Sequence, residues 1–412
     1  MRITRPVSWA ELVVSFCLCL VIPFLVVLKA PGYQPLSFVE LSISVLLLLM
    51  LAIGIFFSRV RRLPALFLLL VFALFFYHVA IATASDSIPA AFASIMLHDR
   101  FIIISLIVIL FLSHKGEDFA VKLFICVALF TTYVTIVKIF RDPSSMLSLY
   151  GESGFYKESS VFPNPNMYGV YISSVVILCL PRLSELFFRT GKYNYIFVLS
   201  PLLVVTILTF SRRSWLALLM GVCLFFLFKR GRSHIVAIAL FAVVAAFIWL
   251  TDSATIADRF LLIFDSGYAS NAERLEATSS QLQVVSGSIS TLFGGAGVGM
   301  FGPASMYSND GQWGQIDGYY TQVLLEFGLL GLALYFSILI YVAVITIGYL
   351  RAGNVSDNVY NKVLSYLITL TMLYFVATVG STPITFPLNL LQWLLIGVLV
   401  KHIKWNRNDA AL

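Results

Sequence analysis

Charge is what this chain has least of. Only 11% of its 412 residues are charged, against 60% hydrophobic ones, and the mean hydropathy is +0.94. Soluble domains carry roughly 25% charged residues. A sizeable soluble domain is therefore excluded, and the chain reads as a polytopic membrane protein. Cysteine is scarce too. Cys17, Cys19, Cys126, Cys179 and Cys223 all fall in apolar tracts, spaced for packing or lipid contact rather than as metal ligands or a disulfide framework. No histidine lies between His234 and His402. Walker A, GxSxG and HExxH are missing, and with them the sequence signs of P-loop, serine-hydrolase and zinc-protease chemistry. No pair of matching broken helices marks a transporter built from inverted halves. The net charge of +7 sits mostly in short loops between apolar tracts, where topology accounts for it without nucleic acid.

What is present is a series of apolar runs. Twelve spans are predicted, at 7–28, 36–57, 63–84, 97–112, 119–140, 167–180, 195–210, 214–228, 235–251, 319–347, 363–380 and 384–400. Most approach the roughly 20 residues a helix needs to cross a bilayer. The fourth is the weakest, because His98, Asp99 and Arg100 interrupt its start. The first follows Arg2 and Arg5 and lacks a small-residue cleavage site, so it reads as a retained helix rather than a cleaved signal. The expected fold is all-α, a single integral membrane domain over 1–412. A long, partly helical loop at 252–318 joins the ninth and tenth spans, and a second loop lies at 141–166. Basic residues favour one set of alternate loops, including Arg59, Arg61, Arg62, Lys229, Arg230 and Arg232. That side is expected to be cytoplasmic. Both termini then lie inside and both long loops outside, where long loops are often functional.

Four segments carry polar residues suited to chemistry. Ser211–Arg212–Arg213–Ser214 interrupts the apolar tract Tyr195 to Phe228. That tract has about 34 positions, about 51 Å as one helix, against a bilayer core of about 30 Å. It reads as two short helices meeting at the arginines. Two guanidinium groups at a membrane edge are costly unless an anion uses them, and arginine suits two-point phosphate contact. The plainer alternative is a pair of interfacial arginines snorkelling to headgroups.

In the second segment, Val161 to Gly169, Pro163 and Pro165 set an extended or turning entry. Asn166 is placed to cap the next helix, whose N-terminus suits an anionic ligand. In the third, Ala257 to Phe264 and Asn271 to Val285 read as helices, the latter bearing Glu273, Arg274 and Glu276. Gly294, Gly295, Gly297 and Gly299 follow and allow tight turns and close backbone approach. In the fourth, Asp317 stands at a helix start, where a carboxylate caps. Glu326 lies about two turns into a membrane helix and needs a partner. Gly328 and Gly331 let a neighbouring helix approach. Tyr307, Trp313, Tyr319 and Tyr320 either stack on sugar faces or form an interfacial aromatic belt.

Taken in this order, the segments from about Phe162 to Gly331 resemble the O-antigen ligase/polymerase superfamily of bacterial envelope glycosyltransferases. The points of likeness are Pro165–Asn166 before a helix, Ser211–Arg212 between two helices, Arg274 early in a long loop, the Gly297–Val298–Gly299 turn, and Glu-x-Gly-x-x-Gly from Glu326 to Gly331. The resemblance implies a GT-C-like enzyme of the bacterial inner membrane, active on its periplasmic face. It implies a donor and an acceptor oligosaccharide, with undecaprenyl pyrophosphate as the carrier, no metal or other cofactor, and a chain-length regulator as a further partner. On that basis Arg212 and Arg274 are catalytic and neutralise the departing pyrophosphate. Asp317 is a general base, or hydrogen-bonds the acceptor, or holds an arginine in place. Arg213, Asn166, Gly297, Gly299 and Tyr319 bind substrate. The lipopolysaccharide ligases of the superfamily resemble one another in carrying His-Asn before the last of these helices, where this chain has Asp317–Gly318. This favours a polymerase over a ligase acting on lipid A-core or protein. A transporter of an anionic solute is the alternative from another class.

Overall fold

The computed structural model describes residues 38–57, 64–112, 114–141, 165–190, 194–209, 211–229, 269–307, 318–352, 355–378 and 388–409. Among them the secondary structure is helical, with no strand. The helices are α1 (Phe38–Phe57), α2 (Ala65–Ala82), α3 (Ile88–His98), α4 (Ile102–Phe111), α5 (His114–Arg141), α6 (Pro165–Thr190), α7 (Asn194–Leu208), α8 (Arg212–Phe228), α9 (Ala269–Ser286), α10 (Ile289–Gly294), α11 (Tyr319–Arg351), α12 (Asp357–Thr378) and α13 (Leu388–Asp409), with a 3-10 turn at Gly302–Tyr307. Four of the described helices are long and apolar enough to cross a membrane, at Ala65–Ala82, Phe119–Arg141, Tyr319–Arg351 and Asp357–Val376. The chain is a helical membrane protein.

Nine of the predicted spans fall on helices, but α5 and α12 begin five and six residues before their predicted starts, and α6 and α13 run ten and nine residues past their predicted ends. Those at 7–28 and 235–251, and the predicted helix Ala257 to Phe264, lie outside the described residues. The fourth span, 97–112, is corrected: it is not one helix. α3 ends at His98, and Asp99 closes it with its N–H on the Ile95 carbonyl. α4 begins afresh at Ile102. The ionisable triplet His98–Asp99–Arg100 is the corner between them, and all three are buried.

The chain resolves into two compact units. One comprises Met1–Leu123, Arg274–Arg351 and Ala377–Leu412, the other Phe124–Glu273 and Ala352–Val376. In the first unit α13 is the central helix. Leu390, Leu391, Leu394, Leu395 and Val398 are fully buried, and α4 and α11 pack on it. Gly397 lets α4 come close, since a β-carbon there would lie 2.8 Å from the Ser105 carbonyl oxygen. Small residues serve helix crossings in membranes in this way. α2 buries a stripe of Phe67, Val71, Leu74 and His78, the spacing of one helix face. Its opposite face exposes Leu69 and Phe76, as a lipid-facing surface does.

α11 is broken within its membrane length. Gly328 has φ 65° and ψ −172°, a combination essentially restricted to glycine. The helix therefore consists of a first half, Tyr319–Phe327, and a longer continuation. In the second unit α6 is buried on every side from Met167 to Pro181 and packs on α7 and α8. Tyr171 donates to the Phe124 carbonyl at 3.0 Å, and the Tyr168 and Thr135 hydroxyls pair at 2.9 Å.

Gly328→Ala tests the break. The substitution forces a side chain into a glycine conformation and drives its β-carbon into the Phe293 carbonyl. The expected cost is about 2 kcal/mol or more, seen as a lowered midpoint of thermal unfolding in detergent. A wild-type midpoint would show that the helix can straighten there without loss.

Candidate functional site

In the second unit, α7 stops at Leu208 and α8 starts at Arg212, so the Ser–Arg–Arg–Ser tetrad forms a corner, as expected. Ser211 is the N-cap of α8, and its Oγ accepts from the Ser214 N–H at 3.4 Å. Hydroxyls surround the corner. Ser214 Oγ donates to the Ser211 carbonyl at 2.7 Å and lies 3.3 Å from Thr209 Oγ1. From α6, Ser173 Oγ donates to the Ser214 carbonyl at 3.1 Å. Gly169, also on α6, leaves room for this, because a β-carbon there would collide with Ser214 Oγ and Thr209 Oγ1. Ser173, Thr209, Ser211 and Ser214 are all buried. The first turn of α8, which bears Arg212 and Arg213, is thus anchored on α6 by neutral groups. The helix dipole makes that turn electropositive. Arg213 is half-buried. Asn166 is corrected in its role: α6 starts at Pro165, so Asn166 lies within the first turn rather than capping it. Proline is well suited to the opening of a helix because it has no N–H to satisfy.

In the first unit, a cluster of ionisable groups is buried around the first half of α11. Glu326, fully buried, accepts from Ser94 Oγ of α3 in a short hydrogen bond. Its other oxygen accepts from Gln322 Nε2 at 3.1 Å. His98 Nε2 approaches the Ser94-bonded oxygen at 3.6 Å. Alongside, His78 Nδ1 meets both oxygens of Asp99, at 2.8 Å and 2.9 Å. Phe327 lies against both imidazoles, stacked on His78 at 3.7 Å and edge-on to His98 at 5.4 Å. Tyr319 stacks on His98 at 5.6 Å and contacts Tyr335 at 5.3 Å, and Gln392 of α13 donates to the Tyr335 hydroxyl at 2.7 Å. A buried carboxylate needs such partners, since desolvation otherwise disfavours its charge.

The glycine run is fitted against this half-helix. The Ala296 N–H donates to the Leu325 carbonyl at 2.6 Å. Gly295, at φ 87°, sits where a β-carbon would strike the Glu326 carbonyl, and Gly299, at φ 79°, sits against the backbone of Ala90. Tyr77 of α2 donates to the carbonyls of Phe293 at 3.0 Å and Phe327 at 2.9 Å. Val285, Phe301 and Leu325 pack together as a small apolar core beneath the loop.

Of the residues expected at a site, Gly297, Gly299 and Tyr319 fall in the first unit, and Asn166, Arg212 and Arg213 in the second. Arg212 opens α8 and Arg274 lies in the second turn of α9. Asp317 lies outside the described residues. Tyr319 is only 5% exposed, so its ring is occupied by His98 and Tyr335. The glycines at 295 and 299 make the close backbone approaches anticipated for the run, and they make them to protein. Sequence reasoning missed His78, Ser94, His98 and Tyr77 as partners of α11. A signal existed for the histidines, because an ionisable residue within an apolar helix points to a buried partner, and His78 continues the buried stripe of α2.

These features define a membrane-embedded helical protein with an arginine-bearing corner and a broken helix carrying a buried, hydrogen-bonded carboxylate. Residues 197–336 match the family model described as O-antigen ligase. Over that stretch the match supports the likeness to the O-antigen ligase/polymerase superfamily. No curated protein matches the chain.

His78→Ala leaves Asp99 buried without its imidazole. Removing one partner of such a pair costs about 3 kcal/mol or more, whereas Phe76→Ala on the exposed face of the same helix should change stability by about 0.5 kcal/mol or less. Unfolding of the two variants in mixed detergent compares them directly. Equal stability would mean that the His78–Asp99 contact contributes nothing net.

Proposed function

We propose that the chain is a polymerase of O-antigen or a related surface polysaccharide, joining repeat units carried on undecaprenyl pyrophosphate by metal-independent glycosyl transfer. In this proposal it spans the inner membrane about twelve times in a GT-C-like arrangement, with both termini cytoplasmic and the transfer on the periplasmic face. The observation that carries the proposal is the extent of the family match. Residues 197–336 take in the Ser211–Ser214 corner, Arg274, the glycine run and Glu326 together. Asp317–Gly318, in place of the ligases' His-Asn, supports the polymerase branch.

The chemistry follows from the leaving group. As the sugar–phosphate C–O bond breaks, negative charge grows on the pyrophosphate. Preorganised positive groups stabilise it. Arg212 and Arg274 are assigned this role, with Arg213 in reserve. Each contributes about 3 kcal/mol in a partly dry site, roughly a hundredfold in rate. The acceptor hydroxyl loses its proton to Asp317 or is oriented by it. A neighbouring arginine would keep Asp317 ionised but weaken it as a base. The printed description of the matched family, O-antigen ligase, favours one second reading: transfer of finished glycan to a lipid A-core or protein acceptor.

Reconstitution separates the two. Purified protein with synthetic undecaprenyl-pyrophosphate repeat units and chelator should yield a ladder of single-repeat steps on a gel. Absence of a ladder, with product appearing only when a lipid A-core acceptor is added, would overturn polymerase in favour of ligase. Arg212→Lys keeps the charge but loses the planar two-point contact, so the ladder rate should fall about a hundredfold. A correctly inserted Arg212→Lys protein with full activity would remove the bidentate role.

A further inference from the structure

We propose that α10 is a membrane-inserted part of the long loop: Ile289 and Phe293 sit among phospholipid acyl chains just beneath the headgroups, at the edge of the bilayer where α2 ends and α11 begins. The proposal rests on the fold and is independent of the polymerase reading. α10 buries none of its residues, and its Ile289 is 79% and Phe293 46% exposed. The stretch around it, Ala277 to Asn309, contains no Asp, Glu, Lys, Arg or His. A water-exposed segment of that length would carry about eight charged residues at the frequency of soluble domains. An uncharged segment that exposes large apolar side chains, on a membrane protein, fits the boundary between acyl chains and headgroups. The exposed apolar surface is also continuous with that of the spans. Phe293 adjoins the break in α11, and Leu329 and Leu330, directly after the break, are exposed.

Two spanning helices set its depth. α2 and α11 run antiparallel, with Phe67 against Tyr341 at one level and His78 against Phe327 at another. α11 carries an exposed Arg351 in its last turn, which marks one edge of the hydrocarbon layer. From Arg351 back to Gly328 the helix covers about 35 Å, a little more than a core of about 30 Å, as a tilted span does. Gly328 therefore lies at the opposite edge, and α10 is seated there, because a β-carbon on Gly328 would strike the Phe293 carbonyl. The Tyr77 hydroxyl donates to the same carbonyl at 3.0 Å, and Tyr77 lies about 8 Å short of the end of α2. Both helices thus place α10 within about 10 Å of the edge, the depth of an interfacial helix. A segment at that depth must pair its backbone groups within the protein. Ser288 and Thr291 form a reciprocal capping box, each side chain accepting from the other's N–H at 3.1 Å. At the other end the Thr291 carbonyl accepts from the Gly295 N–H at 2.9 Å, and the Phe293 carbonyl is taken by Tyr77. In water the solvent would serve these groups.

Tryptophan emission from the full chain tests the depth. Ile289→Trp and Phe293→Trp are placed in phosphatidylcholine nanodiscs whose lipid is plain, brominated near the carbonyl end of the acyl chain, or brominated near its methyl end. The wild-type emission in each lipid is subtracted, and Phe76→Trp on the exposed face of α2 is the lipid-facing reference. Neither side chain is buried, so both variants should fold, and either position alone decides the question. The expected result is blue-shifted added emission that is lost to bromine near the carbonyl end, less so to bromine near the methyl end, and unaffected by aqueous iodide. Red-shifted emission that is lost to iodide but not to bromine would place α10 in water and overturn the proposal. Emission protected from both quenchers, while Phe76→Trp loses its emission to bromine, would mean that protein covers this face. A second copy of the chain would be the candidate cover, and membrane insertion would be overturned as well.

Discussion

Between Glu326 and Gly328 a membrane helix comes apart, and the carbonyls it releases must be satisfied without bulk water. Unpaired backbone groups at membrane depth cost several kcal/mol each. Here the partners come from elsewhere in the chain. Tyr77 bridges the Phe327 and Phe293 carbonyls, and the Ala296 N–H takes up the Leu325 carbonyl. Much else in the first unit follows from this requirement. The glycine run must approach the break closely, which explains the positive φ of Gly295 and the backbone contact at Gly299. Ser85 and Ser87 secure the same loop at its far side, donating to the Val298 and Tyr307 carbonyls at 2.9 Å and 3.0 Å. The loop thus behaves as part of the core that makes a broken helix tolerable.

The two units meet similar problems with different chemistry. At the corner of α7 and α8 the buried partners are hydroxyls, whose desolvation is modest and whose donors rotate to suit. Around α11 they are imidazoles and carboxylates, for which desolvation is far more costly. The groups that anchor the turn bearing Arg212 and Arg213 are neutral hydroxyls. An acidic residue in place of Ser173 or Ser214 would neutralise it. The acidic groups of the described cluster instead lie against imidazoles, Asp99 against His78 and Glu326 near His98.

Much of the helical layout was legible in the sequence, because apolar runs of spanning length have few alternative structures in a membrane. The corner at Ser211 was legible for the same reason, being a polar interruption in a run too long for one crossing. The fourth predicted span failed because a hydropathy pattern cannot distinguish a weak helix from two short ones joined by a buried ionic corner. Glu326 was flagged as needing a partner, but its partners could not be named. Which helix lies beside it depends on packing, and Ser94 and His98 are more than 200 positions away in sequence. The glycines were legible as sites of close approach. Whether substrate or protein approaches them is a tertiary fact, and at Gly295 and Gly299 it is protein.

The histidines deserve the same distinction between sequence and space. Near Asp317 the sequence offers none, and that absence separates this chain from the ligases it resembles. In space His98 reaches the same helix end, with its ring 5.6 Å from that of Tyr319. By proximity alone it would stand in for what the sequence lacks. The surroundings argue otherwise. The ring is closed in by Tyr319 and Phe327, its Nε2 faces Glu326, and the residue is buried. A general base needs hydrogen-bond reach to the proton it removes, and an imidazole enclosed in this way serves its carboxylate instead. His98 therefore supports the architecture of the helix end.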